Sequence, residues 1–201
     1  CYTSILIPWL FLAFATIAQQ IVMVYTGQLA LGAAGFMAAG AFAMFNLILR
    51  VPDLGFVGSL IVSGLIAAAF GILFGLPSLK VRGIYLMVAT LASQFFIIWM
   101  IDKFGWFKNY DSSGIITAQD IVSLGKPLTT PLAMYFVCLA VTAVLTLLAM
   151  NMARGSTGRN WMAVRDMDIA AESMGVSLLK TKVQAFAISA FYCGVAGALF
   201  A

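Results

Sequence analysis

The chain has 201 residues, of which 63% are hydrophobic and only 9% are charged, and its mean hydropathy is +1.06. A soluble domain carries about 25% charged residues, so this composition excludes a water-soluble domain and predicts an integral membrane protein. The net charge of +4 comes mainly from the segments between apolar runs. The charge therefore indicates how the protein is oriented in the membrane, where lipid surrounds it. We expect no nucleic-acid partner.

Charge-free runs cover residues 1–49, 54–79, 83–101, 127–153 and 183–201. A membrane-spanning helix needs roughly 20 apolar residues, so the first run holds two spans and each of the others holds one. The runs lack the alternation of a barrel strand. We therefore predict an all-α, polytopic membrane protein in which residues 1–201 form one transmembrane domain with about six helices. The expected spans are about 5–25, 29–49, 56–74, 84–101 and 131–152, with the sixth starting near Val183.

Two of the predicted spans carry small residues at every fourth position, which places them on one helix face and lets a neighbouring helix approach closely. These residues are Gly35, Ala39 and Ala43 in the second span, and Ala190, Gly194 and Ala198 in the sixth. Thr26, Gly27 and Gln28 are expected to form a short turn or break between the first two spans. We expect the chain to be a piece of a longer protein, because it begins at Cys1 and ends within an apolar run.

Two polar segments are long enough to have a function of their own. Residues 102–130 form a loop with Trp106, Phe107 and Tyr110, which is either a contact for an external solute-binding protein or a flexible outer loop with interfacial aromatics. Residues 153–182, here called the charged segment, carry five of the eleven basic residues and three of the seven acids.

Basic residues favour the cytoplasmic side of a membrane. If the charged segment lies inside, the turn with Lys80 and Arg82 lies inside too, and the 102–130 loop lies outside. Inside loops then carry seven basic residues and outside loops four, so we expect this orientation.

The pattern of the charged segment predicts two short helices, at about 158–165 and 168–174. Ser156 and Thr157 are residue types that cap a helix N-terminus. Asp166 and Asp168 are candidate caps or first-turn acids of the second helix. Gly175 sits where a glycine would end that helix. The segment is either a docking surface or only a positive-inside loop that orients the spans.

Four stretches of the chain closely resemble the branched-chain amino-acid ABC importer permeases of the LivM type. The resemblance covers residues 25–200, roughly, and it includes a weaker match at Asp111 to Ile115. The stretches are YTGQLALGAAGFMAAGAF, GLPSLKVRGIYLMVATLASQ, GRNWMAVRDMDIAAESMG and KTKVQAFAISAFYCGVAGALFA. The resemblance implies an importer subunit in the bacterial cytoplasmic (inner) membrane, with a second permease, two cytoplasmic ATPase subunits and an extracytoplasmic solute-binding protein as partners.

The resemblance also implies that the charged segment is a cytoplasmic coupling loop, which lodges in a cleft of an ATPase subunit. ABC importer permeases often show Glu-Ala-Ala, three residues and then Gly in this loop, whereas this chain has Ile169 in place of the Glu. A second departure is Ala33, where relatives often carry a His. The residues expected to take part in coupling are Arg159, Arg165, Asp166, Asp168, Ala170, Ala171, Glu172 and Gly175.

The chain has no His, no charged residue within a predicted span and no phosphate-binding glycine loop. We therefore expect no catalysis, no metal site and no cofactor, with ATP used by a partner subunit. Uncharged polar residues within the spans usually bond between helices, but three in the family-like stretches are candidates for the solute pathway. They are Gln28, Thr90 and Gln94.

Three alternatives remain at this stage. The same machine could carry urea or short amides, because the resemblance specifies the apparatus better than the solute. The chain could instead be a self-contained secondary transporter or channel, since missing ionisable groups do not exclude sodium coupling. The third is a non-transporting membrane assembly subunit, which the charged segment alone does not exclude.

Overall fold

A computed structural model of the chain describes residues 6–28, 30–51, 55–78, 84–103, 122–123, 126–127 and 131–200. The turn with Lys80 and Arg82, the stretch from Asp111 to Ile115 and most of the 102–130 loop lie outside the described residues.

The described chain is helical apart from one small strand pair, which confirms the predicted all-α class. Strands β1 and β2 pair antiparallel, with Val122 opposite Pro127, and β1 lies against the third helix. A single π-helical turn, Ile21–Tyr25, extends the first helix. The elements are α1 Ile7–Gln20, α2 Ala33–Arg50, α3 Gly55–Ser78, α4 Ile84–Lys103, β1 Val122–Ser123, β2 Lys126–Pro127, α5 Pro131–Arg154, α6 Ser156–Asp166, α7 Asp168–Ser173 and α8 Leu178–Phe200.

Six helices within the described ranges are long and apolar enough to cross a membrane, as predicted. They are α2, α3, α4, α5, α8 and the combined α1 and π-helical turn. The sixth span begins at Leu178 instead of near Val183, so Lys180 and Lys182 belong to its first turns. The third continues past Phe74 to Ser78, the residue after Pro77.

Helix α8 lies at the centre of the bundle, packed against α1, α2 and α3. Helices α2 and α8 meet there through glycines, because a Cβ atom on Gly40 would overlap the backbone of Gly194. Of the predicted small-residue faces, Gly194 takes part in this contact, whereas Gly35 lies against Gln94 of α4 and Ala190 lies against Gly71 of α3. A Cβ atom on Gly197 would likewise overlap the backbone of Met37. Only glycine permits this backbone-to-backbone approach, which gives van der Waals contact where the hydrophobic effect is weak.

Two hydrogen bonds attach α8 to its other neighbours. The Ser189 hydroxyl donates to the carbonyl oxygen of Ala18 in α1 at 2.7 Å, and the Tyr192 hydroxyl donates to that of Leu145 in α5 at 2.9 Å. Helix α5 is otherwise peripheral. In its membrane-spanning part 11% of the residues are buried, compared with 67% in α8.

The second span begins four residues later than predicted. Helix α2 starts at Ala33 and not at Leu29. Residues 26–28 and 30–32 are non-helical, and we call this connection the polar break. Gly27 has a φ of +65°, a backbone conformation that disfavours other residue types. Thr26, Gln28, Ala30 and Gly32 are buried, whereas Gly27 and Leu31 are exposed, so one side of this connection packs against the protein and the other side faces outwards.

Candidate functional site

The two short helices predicted in the charged segment are present as α6 and α7. The prediction that Ser156 and Thr157 cap the first of them is wrong, because the N-cap is Gly155 and makes no side-chain cap bond. The reason is the tight join to α5, in which the Gly155 N–H donates to the carbonyl oxygen of Asn151 at 3.0 Å. Helix α6 therefore starts immediately, and both hydroxyl residues fall within its first turn.

Helix α7 begins after Met167, which has an extended backbone and no side-chain cap bond. Asp166 is therefore not a cap of α7; it is the last residue of α6, and its carboxylate accepts a hydrogen bond from Arg165. Asp168 is the first residue of α7, as expected for a first-turn acid, although its side chain lies outside the described part of the chain.

Gly175 ends α7 as predicted, with a φ of +85°. Its N–H donates to the carbonyl oxygen of Glu172 at 3.0 Å, and the N–H of Val176 donates to that of Ala171 at 3.0 Å. These two bonds are the Schellman motif, which favours glycine at the left-handed position after a helix. The spacing of Ala170, Ala171 and Gly175 is thus explained by the way α7 ends.

The inner face of the charged segment is anchored by Trp161. Its side chain is 1% exposed, and its ring centroid lies 6.4 Å from that of Tyr25 at the end of the π-helical turn. Val164 and Ala171 are buried on the same side of the segment. Truncation of a buried tryptophan to alanine costs about 3–5 kcal/mol, so Trp161 alone holds α6 firmly against the first span.

The opposite face is exposed and charged. Arg159, Asp166 and Glu172 are all exposed, and Met167 and Met174, which flank α7, are 70% and 79% exposed. Charged side chains with adaptable methionines are typical of surfaces that receive a partner. The three charges remain predicted contacts of an ATPase subunit.

Arg165 has partners within the chain. Its Nη1 donates to the carbonyl oxygen of Val24 at 2.9 Å, and its Nε donates to Asp166 Oδ1 at 2.9 Å. The first of these bonds joins residues 141 positions apart. The Arg165 guanidinium thus faces the end of the first span, so a contact between Arg165 and an ATPase stays a prediction with a competing partner.

Gln28 lies in the polar break and Thr90 lies against it, while Gln94 lies one turn further along α4, against Gly35 of α2. The Leu31 N–H donates to Thr90 Oγ1 at 3.1 Å. A Cβ atom on Gly35 would be 2.9 Å from the Cα of Gln94, so α2 and α4 touch at that point. Gln28 lies in the break itself and is 7% exposed, and neither polar atom of its side chain has a hydrogen-bond partner among the described residues.

The structure therefore brings Thr90 and Gln94 together against the start of α2, whereas no described contact joins them to Gln28. Sequence reasoning missed Gln19, whose side-chain amide donates to the carbonyl oxygen of Ala30. It also missed the bond from Arg165 to Val24. Gln19 carried a signal, a polar residue near the end of an apolar span, but nothing local to Arg165 indicates a partner at Val24.

A separate cavity of about 260 Å³ lies between α2, α3 and α4. Its lining is apolar except near Asn46 and Arg50, which are on the last turns of α2. The polar break lies at the other end of α2, so the cavity and the break are different sites.

These features define a multi-pass helical membrane protein with a polar break after its first span and a structured charged segment before its last. A family model described as "Branched-chain amino acid transport system / permease component" matches residues 2–201. The chain belongs to this family of transport permeases, as its resemblance indicated.

Two curated relatives show the same relationship. The chain is 35% identical to the "High-affinity branched-chain amino acid transport system permease protein LivM" of Escherichia coli strain K12, over 90% of this chain and 48% of that protein. It is 34% identical to the protein of the same name from Salmonella typhimurium strain LT2, with the same coverage. The chain thus spans about half the length of these relatives. No solved structure matches the chain significantly.

Proposed function

We propose that the chain is part of the permease subunit of an ABC importer, which moves branched-chain or related amino acids across the bacterial cytoplasmic membrane. Membership of a branched-chain amino acid permease family supports this proposal. So do the printed names of the two relatives. The permease binds and passes the solute but performs no covalent chemistry, and ATP is hydrolysed by two cytoplasmic ATPase subunits. A second permease and an extracytoplasmic solute-binding protein complete the assembly.

The observation that carries the proposal is that the charged segment has two different faces. Its outer face presents Arg159, Asp166 and Glu172, while its inner face buries Trp161 against the end of the first span. A loop that served only to orient the spans would need its charges but would not need a buried anchor. A segment that receives force from a partner and passes it to the spans needs both faces.

The polar break is the proposed solute site. A zwitterionic amino acid presents a carboxylate and an ammonium group, and a primary amide such as that of Gln28 can donate to the first or accept from the second. Helix α2 starts at the break with no side-chain cap on Gly32, and the N–H groups of a helix start favour a carboxylate. Thr90 and Gln94 supply further polar groups from α4. The site would thus recognise an amino acid without burying a protein charge.

A cysteine crosslinking scan from Arg159 to Met174 tests the docking role. It uses the full-length protein assembled with its ATPase, and the described native cysteines, Cys138 and Cys193, are buried and give little background. We expect crosslinks to the ATPase at the exposed positions, with yields that change when ATP binds, and none at the buried Trp161.

Ala143, which is exposed on α5, serves as the matched control position and should give no crosslink. If no position in the scan crosslinked while the ATPase was present and bound, the docking role would be refuted. A self-contained transporter would then be the better account.

A further inference from the structure

The end of the first span is closed by an arginine from the charged segment. The last carbonyl groups of a helix have no partner within the helix, and a cation placed there is favourable because of the helix dipole. Arg165 Nη1 donates to the carbonyl oxygen of Val24, which lies in the π-helical turn two residues before the polar break. Arg165 therefore belongs to α6 and is bonded to the last turn of the first span.

Asp166 holds this guanidinium in place. Its Oδ1 accepts the Arg165 Nε–H at 2.9 Å, and the planar guanidinium then presents its Nη1 in a fixed direction. An arginine can bond Asp166 and Val24 at the same time because its donors form a rigid fork. Both side chains are exposed, at 38% and 64%, so water can solvate both groups when the pair separates.

Gly27 fits under the arginine side chain. Its φ of +65° is one that other residues adopt only with strain. In addition, a Cβ atom on Gly27 would be 2.7 Å from Arg165 Cγ, closer than van der Waals contact allows. Glycine is thus required both by the backbone of the break and by the approach of Arg165.

The contacts continue from this point through the break to α4. The Gln19 amide donates to the Ala30 carbonyl oxygen, and the Leu31 N–H donates to Thr90 Oγ1. Gln28, whose side chain is buried, lies between Gly27 and Ala30 in the chain. A displacement of Arg165 relative to Val24 and Gly27 therefore acts on the backbone that carries Gln28.

We propose that Arg165 is a positioning residue, which with Gly27 holds the polar break in one arrangement and makes that arrangement respond to movement of the charged segment. The inference rests on the proposed function for the source of that movement. It assigns Arg165 to the link between the docking surface and the break, in contrast to the charges at Arg159 and Glu172 on the outer face.

The first test measures the link without any transport assay. Amide hydrogen exchange of residues 24–32 is compared between the wild-type full-length complex and the Arg165→Ala variant. Loss of a charge-assisted bond and of the packing over Gly27 should speed exchange there by about ten-fold or more. The control Lys180→Ala removes an exposed basic residue of the same segment and should change nothing in residues 24–32. Unchanged exchange in Arg165→Ala would refute the link.

A double-mutant cycle sharpens this test, because the Cβ introduced by Gly27→Ala collides with the Arg165 side chain. In the wild-type background, Gly27→Ala should speed exchange in the break through both strain and collision. In the Arg165→Ala background, only the strain remains, so the added effect should be at least three-fold smaller. Equal effects in both backgrounds would show that the two residues act independently, contrary to the proposal.

The second test measures the number of ATP molecules hydrolysed per solute imported, in proteoliposomes that contain the whole complex. A merely structural role would lower hydrolysis and import together. A positioning role predicts that Arg165→Ala raises the ratio about ten-fold, while Lys180→Ala leaves it unchanged. An unchanged ratio in Arg165→Ala would refute the positioning role. Import by the wild type without ATP would refute the proposed function alone, because the exchange comparison depends neither on ATP nor on import.

Discussion

In the middle of the bundle α2 and α8 touch backbone to backbone, whereas at the polar break the chain is held by single hydrogen bonds. Gly40 meets Gly194 and Gly197 meets Met37 with no room for one extra carbon. Gln19 and Thr90 each share one hydrogen bond with a main-chain group of the break, and Arg165 bonds to the carbonyl oxygen of Val24, two residues before it. Close-packed helices move together as one body, whereas each of these hydrogen bonds can break and re-form without the others. This chain thus combines a rigid core with a polar break that is able to change its conformation.

The largest effect is expected in the core, from Gly40→Val. Its side chain would overlap the Gly194 backbone, so α2 and α8 must separate, at a cost of about 3 kcal/mol or more. The thermal unfolding temperature of the detergent-solubilised protein should fall sharply. The control is Ala34→Val, an equally branched substitution at an exposed position of the same helix, which should change it little. Similar unfolding temperatures for the two variants would contradict the backbone contact.

At the break, Gln28→Leu should separate stability from transport. Neither polar atom of the buried Gln28 side chain has a partner among the described residues, so an apolar side chain of similar size should leave stability unchanged or raise it by about 1 kcal/mol. Uptake of a labelled branched-chain amino acid should nevertheless fall by about ten-fold or more, because the solute loses a hydrogen bond. Gln184→Leu, at an exposed position on α8, is the matched control for both assays. Uptake that survived Gln28→Leu would remove Gln28 from the solute pathway.

A smaller effect is expected from Thr90→Val, which leaves the Leu31 N–H without its acceptor. Loss of this part-buried hydrogen bond costs about 1 kcal/mol. Thr142→Val provides the comparison, since the Thr142 hydroxyl bonds only to the carbonyl oxygen of Cys138 in its own helix. The unfolding temperature should fall more for Thr90→Val than for Thr142→Val. Equal falls would mean that the bond between α4 and the break contributes nothing.

The smallest effect is expected from Gly175→Ala, where a Cβ atom would meet nothing within 4 Å. Only the strain of the positive φ remains, worth about 1 kcal/mol. Hydrogen exchange of the Gly175 and Val176 amides should rise by roughly five-fold. Gly55→Ala carries the same kind of strain elsewhere, at a φ of +65°, and should leave exchange in α7 unchanged.

Features that depend on local spacing can be predicted from the sequence, whereas contacts between distant parts of the chain cannot. The small-residue faces of α2 and α8, the two short helices and the end of α7 at Gly175 all follow local spacing rules, and the structure confirms them. The sequence predicts a short turn or break at Thr26 to Gln28, but not that the next helix begins only at Ala33, because an apolar run gives no sign of where a helix starts. The contact of Arg165 with Val24 depends on how α6 packs on the first span. Such a contact over 141 residues cannot be read from either stretch alone.

ATP-dependent uptake in proteoliposomes tests directly whether the chain is part of the permease of an ABC importer. The full-length protein is reconstituted with its second permease, two ATPase subunits and solute-binding protein, and labelled leucine is supplied with and without ATP on the ATPase side. We expect uptake that requires both ATP and the ATPase. Other branched-chain amino acids should inhibit this uptake more strongly than urea does. Uptake by the permease without the ATPase, driven by a sodium gradient, would contradict this expectation and establish a self-contained transporter.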